Sequence, residues 1–185
     1  MKKIIINADD FGYSKVFNES IIDLAEKDEI TGISVMVNYI NSDQKKQVEK
    51  IKKYKEKLGL HCDFEPVFLD MYKYSYREEG QKAIKEFSIK NNIFYRNLDG
   101  DKNKLTTTHK KITGSFKTFE EIKELISKLD DGSVTILFHS GKFDKNSKLS
   151  FNKDREKDVE NIILLNDFIE KNRDIFQKIS YLDLK

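Results

Sequence analysis

Two aspartates stand side by side at Asp9-Asp10, directly after an isoleucine-rich run, and the chain has only three histidines, His61, His109 and His139. Carboxylate oxygens and neutral imidazole nitrogens are the donors that zinc and related divalent cations favour. The same groups move protons: a carboxylate beside a cation-activated water acts as base, and an imidazole opposite it can protonate a departing amine. Each has a plainer use alone. Adjacent carboxylates after a strand commonly cap helices or sit in loops, and a single histidine at a strand end is more often structural than a ligand. Their joint placement is what points to a site.

That placement follows from the elements around them. Lys3–Ala8 is a short apolar run ending in a polar cluster with Gly12, and reads as a buried strand followed by a loop. Phe17, Ile21, Ile22, Leu24 and Ala25 recur at helical spacing up to about Lys27, and Gly32–Val37 is a second, nearly all-apolar strand. Ser42 is expected to cap a helix carrying Val48, Ile51 and Tyr54 on one stripe. Leu58–Cys62 reads as a third strand and Val67–Met71 as a fourth. A helix over Arg77–Asn91, a strand at Ile93–Arg96 and a loop from Asp99 to Lys111 follow. Thr118 with Glu121 forms a capping box before a helix turning Phe119, Ile122, Leu125, Ile126 and Leu129 inward. Val134–Phe138 is the clearest strand, a long helix spans about Asp154–Lys171, and a last strand is expected near Ile179–Leu184.

Strands alternating with helices mean parallel strands joined by helical crossovers, an α/β fold. Ligands in such folds gather at the carboxyl ends of the strands. Asp9 and Asp10 fall there after the first strand, His61 and Asp63 after the third, and His139 after Val134–Phe138. Adjacent residues of an extended strand point to opposite faces, so a loop must separate the tasks of Asp9 and Asp10. The same alternation turns Cys62 away from His61, which favours packing over chemistry for the thiol.

Bulk properties set the boundaries. The 185 residues fit a single domain, 1–185, with no repeat or Pro-rich hinge, Pro66 being the only proline. Lys and Arg number 34 against 32 Asp and Glu, so the net charge of +2 gives no electrostatic footprint for nucleic acid. The basic run Lys45, Lys46, Lys50, Lys52, Lys53, Lys55, Lys57 reads as the solvated face of a helix. A lone cysteine fits a reducing compartment, and the first apolar run is too short for a signal peptide or a membrane span. A cytoplasmic protein without membrane contacts is the expectation, and self-association is left open.

Ile5-Ile6-Asn7-Ala8-Asp9-Asp10-Phe11-Gly12-Tyr13-Ser14 closely resembles the opening of the YdjC-like carbohydrate deacetylases, the chitooligosaccharide deacetylase type, whose first strand ends in N-A-D-D-F-G-x-S. The likeness continues in order. Ile30–Asn38 is similar to the family's second strand and Leu58-Gly59-Leu60-His61 to its G-L-H strand. Phe138-His139-Ser140-Gly141, with Arg155-Glu156 downstream, resembles its H-P-G segment followed by R-E.

The resemblance implies a distorted or incomplete (β/α) barrel that removes acetyl groups from N-acetylated sugars with a divalent metal, of the zinc or the magnesium, manganese, nickel and cobalt class. It implies Asp10 and His61 as metal ligands, Asp9 as general base and His139 as general acid or orienting group. Arg155 would hold Asp9 or another site carboxylate. Family members are longer and carry a D-S-H-x-H-x-H segment that supplies a third ligand. Its counterpart here is Leu69–Tyr76, with Tyr and Lys where histidines belong, and Ser140 replaces the proline beside His139. The third ligand would then come from Asp70, Asp63, His109, Tyr72 or Tyr74, or Lys73 would supply the cation's charge and leave the site metal-free. His109 also reads as an exposed loop residue. Tyr72, Tyr74 and Tyr76 suit either a sugar-stacking platform or one face of a half-exposed strand. The expected ligand is a small amino sugar or oligosaccharide. The expected activity is its deacetylation; the alternative is a non-catalytic relative that binds sugars or regulates.

Overall fold

The computed structural model describes residues 1–36, 39–60, 94–95, 108 and 110–184. Its strands are β1 (Lys2–Phe11), β2 (Gly32–Val35), β3 (Leu58–Leu60), β4 (Phe94–Tyr95), β5 (Lys110–Thr113), β6 (Gly132–Phe138) and β7 (Phe176–Lys178). Its α-helices are α1 (Lys15–Glu26), α2 (Lys45–Ile51), α3 (Phe119–Ser127) and α4 (Arg155–Lys171). Every strand pairing is parallel, in the order β4-β3-β2-β1-β6-β5. Read outward from β1, β2, β3 and β4 lie in turn on one side, and β6 and β5 on the other. The α/β reading of the sequence therefore holds, with β1 at its centre.

β1 carries the site because it is paired on both edges. One edge meets β6 from Lys2 to Ala8; the other meets β7 over its first residues and β2 over its last. Its residues alternate between two apolar environments, as a strand covered on both faces requires. Ile4, Ile6 and Ala8 join the main core with Ile21 and Leu24 of α1, Ile122 and Ile126 of α3, and Ile162 and Leu165 of α4. Ile5 packs on the opposite face with Ile179 and Tyr181.

Several boundaries differ from the sequence reading. β1 runs on through Asp9-Asp10 to Phe11, where a loop was expected, because its pairing with β2 resumes after an irregularity. The expected strand at Ile179–Leu184 is replaced by β7 at Phe176–Lys178 and a 3₁₀ turn at Tyr181–Leu184. Asp183 causes this change: its carboxylate accepts from the Ser180 amide and hydroxyl and tightens the chain into a turn. Asn41, not Ser42, caps the next element, a 3₁₀ turn at Ser42–Gln44 that leads into α2. β5 lies at the end of the segment read as loop. On α3, Leu125 faces solvent, while Ile122 and Ile126 are buried. Lys57 leaves the solvated lysine face: it is buried, and its ammonium is 2.6 Å from Asp28. The expected elements at Val67–Met71 and Arg77–Asn91 lie outside the described residues.

Candidate active site

The opening motif has a separate physical reason at almost every position. Ala8 of β1 and Phe138 of β6 are register partners, so Asp9 and His139 each stand one residue beyond the same pair, at the carboxyl edge of the sheet. From Ala8 to Phe11 β1 advances three residues while β2 advances two, Ile33 to Val35. The extra residue is accommodated at Asp10, whose φ is +73°, a left-handed conformation that aspartate tolerates better than most residues. This bulge breaks the two-residue alternation. Phe11 consequently joins Ile4, Ile6 and Ala8 in the main core instead of following Asn7 and Asp9.

Gly12 follows with φ +105°, and a Cβ there would lie 2.8 Å from the Met36 carbonyl oxygen, so only glycine fits the turn. Ser14 closes the motif as the N-cap of α1, accepting from the Phe17 amide.

Asp9 and Asp10 are both buried and have different partners. Asn7 donates its side-chain amide to Asp9 Oδ1 at 2.6 Å and to Ser34 Oγ at 2.9 Å, and its own oxygen accepts from the Tyr181 hydroxyl at 3.1 Å. Asp9 is thus oriented by a buried amide fixed from β2 and from the carboxyl-terminal turn. Asp10 Oδ2 is paired with Arg155, the first residue of α4, whose side chain is fully buried. The guanidinium lies 3.5 Å over the Phe17 ring centroid and reaches the Ser140 carbonyl at 3.4 Å. A buried Asp–Arg pair needs such extra contacts to offset its desolvation.

His139 is held from three sides. Its ring stacks on Phe151 at 3.9 Å between centroids and 3° between planes. Its backbone N–H donates to Asp158 Oδ2 at 2.8 Å, and its Nδ1 lies 2.9 Å from Ser115 Oγ. Ser115 Oγ also makes a very short bond with Asp158 Oδ2. A hydroxyl has one hydrogen, and the network decides where it goes. Asp158 Oδ2 already accepts the His139 N–H, so it also accepts the Ser115 O–H. Ser115 Oγ must then accept from Nδ1–H of His139. With Asp158 ionised, the histidine is therefore the Nδ1–H tautomer, and Nε2 is the nitrogen left for chemistry. Burial pushes the Asp158 carboxyl above its ordinary value. The Ser115 and His139 hydrogen bonds, and the charges of His139 and Arg155, offset part of that.

Of the residues singled out in the sequence, Asp9, Asp10, His139 and Arg155 come to one edge of the sheet. His61 directly follows β3, beyond its Leu60–Val35 pairing, and lies outside the described residues, as do Asp63, Asp70, Tyr72, Tyr74 and His109. Asn7, Ser115 and Asp158 were not anticipated. Asp158 had a signal: it stands three residues after Arg155 in the first turn of α4, where the two share a helix face. Among the described residues no three His, Cys, Asp or Glu side chains group to hold a metal ion, and Asp10 offers such a site one carboxylate. Arg155 occupies only Oδ2 of Asp10, and Oδ1 has no partner among the described residues. Ligating carboxylates are commonly hydrogen-bonded from behind in this way. No helix among the described residues is long and apolar enough to cross a membrane.

A solved structure from Enterococcus faecalis V583, a protein to which cellobiose-phosphate cleavage has been provisionally ascribed, superposes with a TM-score of 0.69 over 99% of this chain and 98% of that one. Sequence identity is 14%, so the likeness is one of fold. No curated protein sequence matches the chain. The family model described as YdjC-like protein matches residues 3–67, the segment that holds Asn7, Asp9, Asp10, Gly12, Ser14 and the end of β3. Over that segment, about a third of its length, the chain is similar to YdjC-like proteins.

Proposed function

We propose that this protein is a metal-dependent hydrolase that removes acetyl groups from N-acetylated amino sugars or their oligosaccharides. The observation that carries the reading is the placement of Asp9 and His139 one residue beyond the paired Ala8 and Phe138, with Asp10 paired to Arg155 beside them. A base and an acid on neighbouring strands suit an amide held across the strand ends.

A divalent cation held by Asp10 and His61 would polarise the acetamide carbonyl and acidify a water. Asp9, oriented by Asn7, takes a proton from the attacking water. As the water adds, the carbonyl carbon becomes tetrahedral; the C–N bond then breaks, giving acetate and a free amine. The departing nitrogen needs a proton, and His139 supplies it from Nε2. Since Nδ1 already carries hydrogen, the donor is the doubly protonated ring, whose charge Asp158 offsets through Ser115. Arg155 keeps Asp10 fixed and neutralised within the buried strand end.

The disaccharide phosphate ascribed to the Enterococcus protein belongs to the same broad class, carbohydrate, and supports a sugar ligand here. The test is acetate release from N,N′-diacetylchitobiose in the presence of zinc, magnesium, manganese, nickel or cobalt. Release that disappears in Asp9→Asn supports the hydrolase. Sugar binding without release, unchanged in Asp9→Asn, would leave the non-catalytic binding module.

A further inference from the structure

Phe116 is a phenylalanine where a turn asks for glycine. Lys117 N donates to the Gly114 carbonyl at 3.1 Å, closing a four-residue turn in which Phe116 occupies the third position with φ +68°. That position ordinarily takes glycine or asparagine, and a bulky residue there is strained. The strain brings no burial, since Phe116 is 59% exposed. Its ring instead meets Phe151, with centroids 5.0 Å apart, and Phe151 stacks on His139. The three rings form a row that leads from solvent to the imidazole.

Both phenylalanines are anchored through their chain neighbours. Ser115, next to Phe116, is buried and bonded to His139 and Asp158. Phe151 lies in the 3₁₀ turn Ser150–Lys153, and its neighbour Asn152 is buried, bonded to the Asp144 amide at 2.9 Å and to the Asp144 carbonyl at 2.7 Å. A platform held this firmly loses little freedom when a ligand settles on it. Two rings offer far less area than a stable protein interface needs, about 800 Å² per partner. They match a smaller object with an apolar face and a polar rim, which describes a pyranose ring.

We infer that Phe116, backed by Phe151, is a carbohydrate subsite, stacking the apolar face of a sugar ring so that its substituent reaches toward His139. The inference rests on the carbohydrate reading of the site. It adds a binding surface made by residues that neither the opening motif nor the acid and base groups include.

The test is titration calorimetry of the full chain with N,N′-diacetylchitobiose and with cellobiose, in wild type, Phe116→Gly and Phe116→Tyr. Glycine relieves the backbone, so Phe116→Gly should keep or raise the melting temperature, which excludes misfolding as the cause of any loss. It should bind about five- to tenfold more weakly, the worth of a stacked ring, while Phe116→Tyr keeps the wild-type affinity. Equal binding in wild type and Phe116→Gly would overturn the subsite and leave the carbohydrate reading standing. Binding of neither sugar by wild type would overturn both. Concentration-dependent dimerisation lost in Phe116→Gly would assign the ring to a second copy and overturn the subsite.

Discussion

Arg155 and Asp158 stand one turn apart at the start of α4, and each holds a residue from a different strand. Arg155 pairs with Asp10 of β1, and Asp158 accepts the backbone N–H of His139 after β6. One helix turn thus sets the separation of the carboxylate side of the site from its imidazole side. The pairing is also an electrostatic arrangement, since the Arg155 charge acts on the buried Asp158 carboxyl as well.

Removing Arg155 leaves Asp10 buried without its cation. Arg155→Met should destabilise the fold by about 3–5 kcal/mol, the usual result of breaking a buried pair from one side. Arg155→Lys should recover only part, because lysine keeps the charge but loses the planar stacking on Phe17. Urea unfolding measures both; a loss under about 1 kcal/mol for methionine would contradict the buried pair.

Ser115 is the one hydroxyl between His139 Nδ1 and Asp158. Ser115→Ala should lower kcat roughly ten- to a hundredfold with KM little changed, as for other hydrogen bonds that orient a functional histidine. Nitrogen-15 NMR of the imidazole should show hydrogen on Nδ1 in the neutral wild-type ring and a mixture of tautomers in the variant. Hydrogen on Nε2 in wild type would refute the assigned network.

Asp158 has a raised carboxyl, so the folded chain holds its proton more tightly than the unfolded chain does. Its contribution to stability is full below the ordinary carboxylate range and is lost as pH rises through the raised native value. The stability of wild type relative to Asp158→Asn should therefore fall as pH rises through that window. Urea midpoints for both proteins across a pH series check this; a difference that stays flat or grows with pH would contradict it.

Gly32 gives Asn7 its room. A Cβ there would lie 2.7 Å from Asn7 Oδ1 and 2.8 Å from the Tyr181 ring. Gly32→Ala should cost about 1–3 kcal/mol by overpacking and shift the amide that orients Asp9. Activity should fall by more than the folded fraction measured on the same sample. Activity that tracks the folded fraction would mean that Asn7 does not orient Asp9.

Much of this site was legible because β1 and β6 announce themselves as apolar runs, and the reactive residues follow them directly. Arg155 entered through the resemblance, and the structure gives it a partner, Asp10. What the sequence hid depends on contacts between distant segments. Ser115 meets His139 across 24 residues and Asp158 across 43, and no local pattern marks one serine among many. The left-handed Asp10 is equally silent, because alternation along a strand cannot reveal where an extra residue is inserted. Nothing in the sequence separates Phe116 from the other aromatics, and only its backbone angle and exposure set it apart. At the carboxyl terminus, Ile179 and Tyr181 supplied a strand-like pattern that the Asp183 hydrogen bonds overrode.

The most direct test of the account is the acetate released per chain from N,N′-diacetylchitobiose by wild type and by Asp9→Asn, each supplied with the same divalent cation. The account predicts turnover in wild type and a loss of at least about a hundredfold in the variant, the usual worth of a general base, with both proteins equally folded. No acetate from wild type with any of the five cations, or equal release from both proteins, would contradict it.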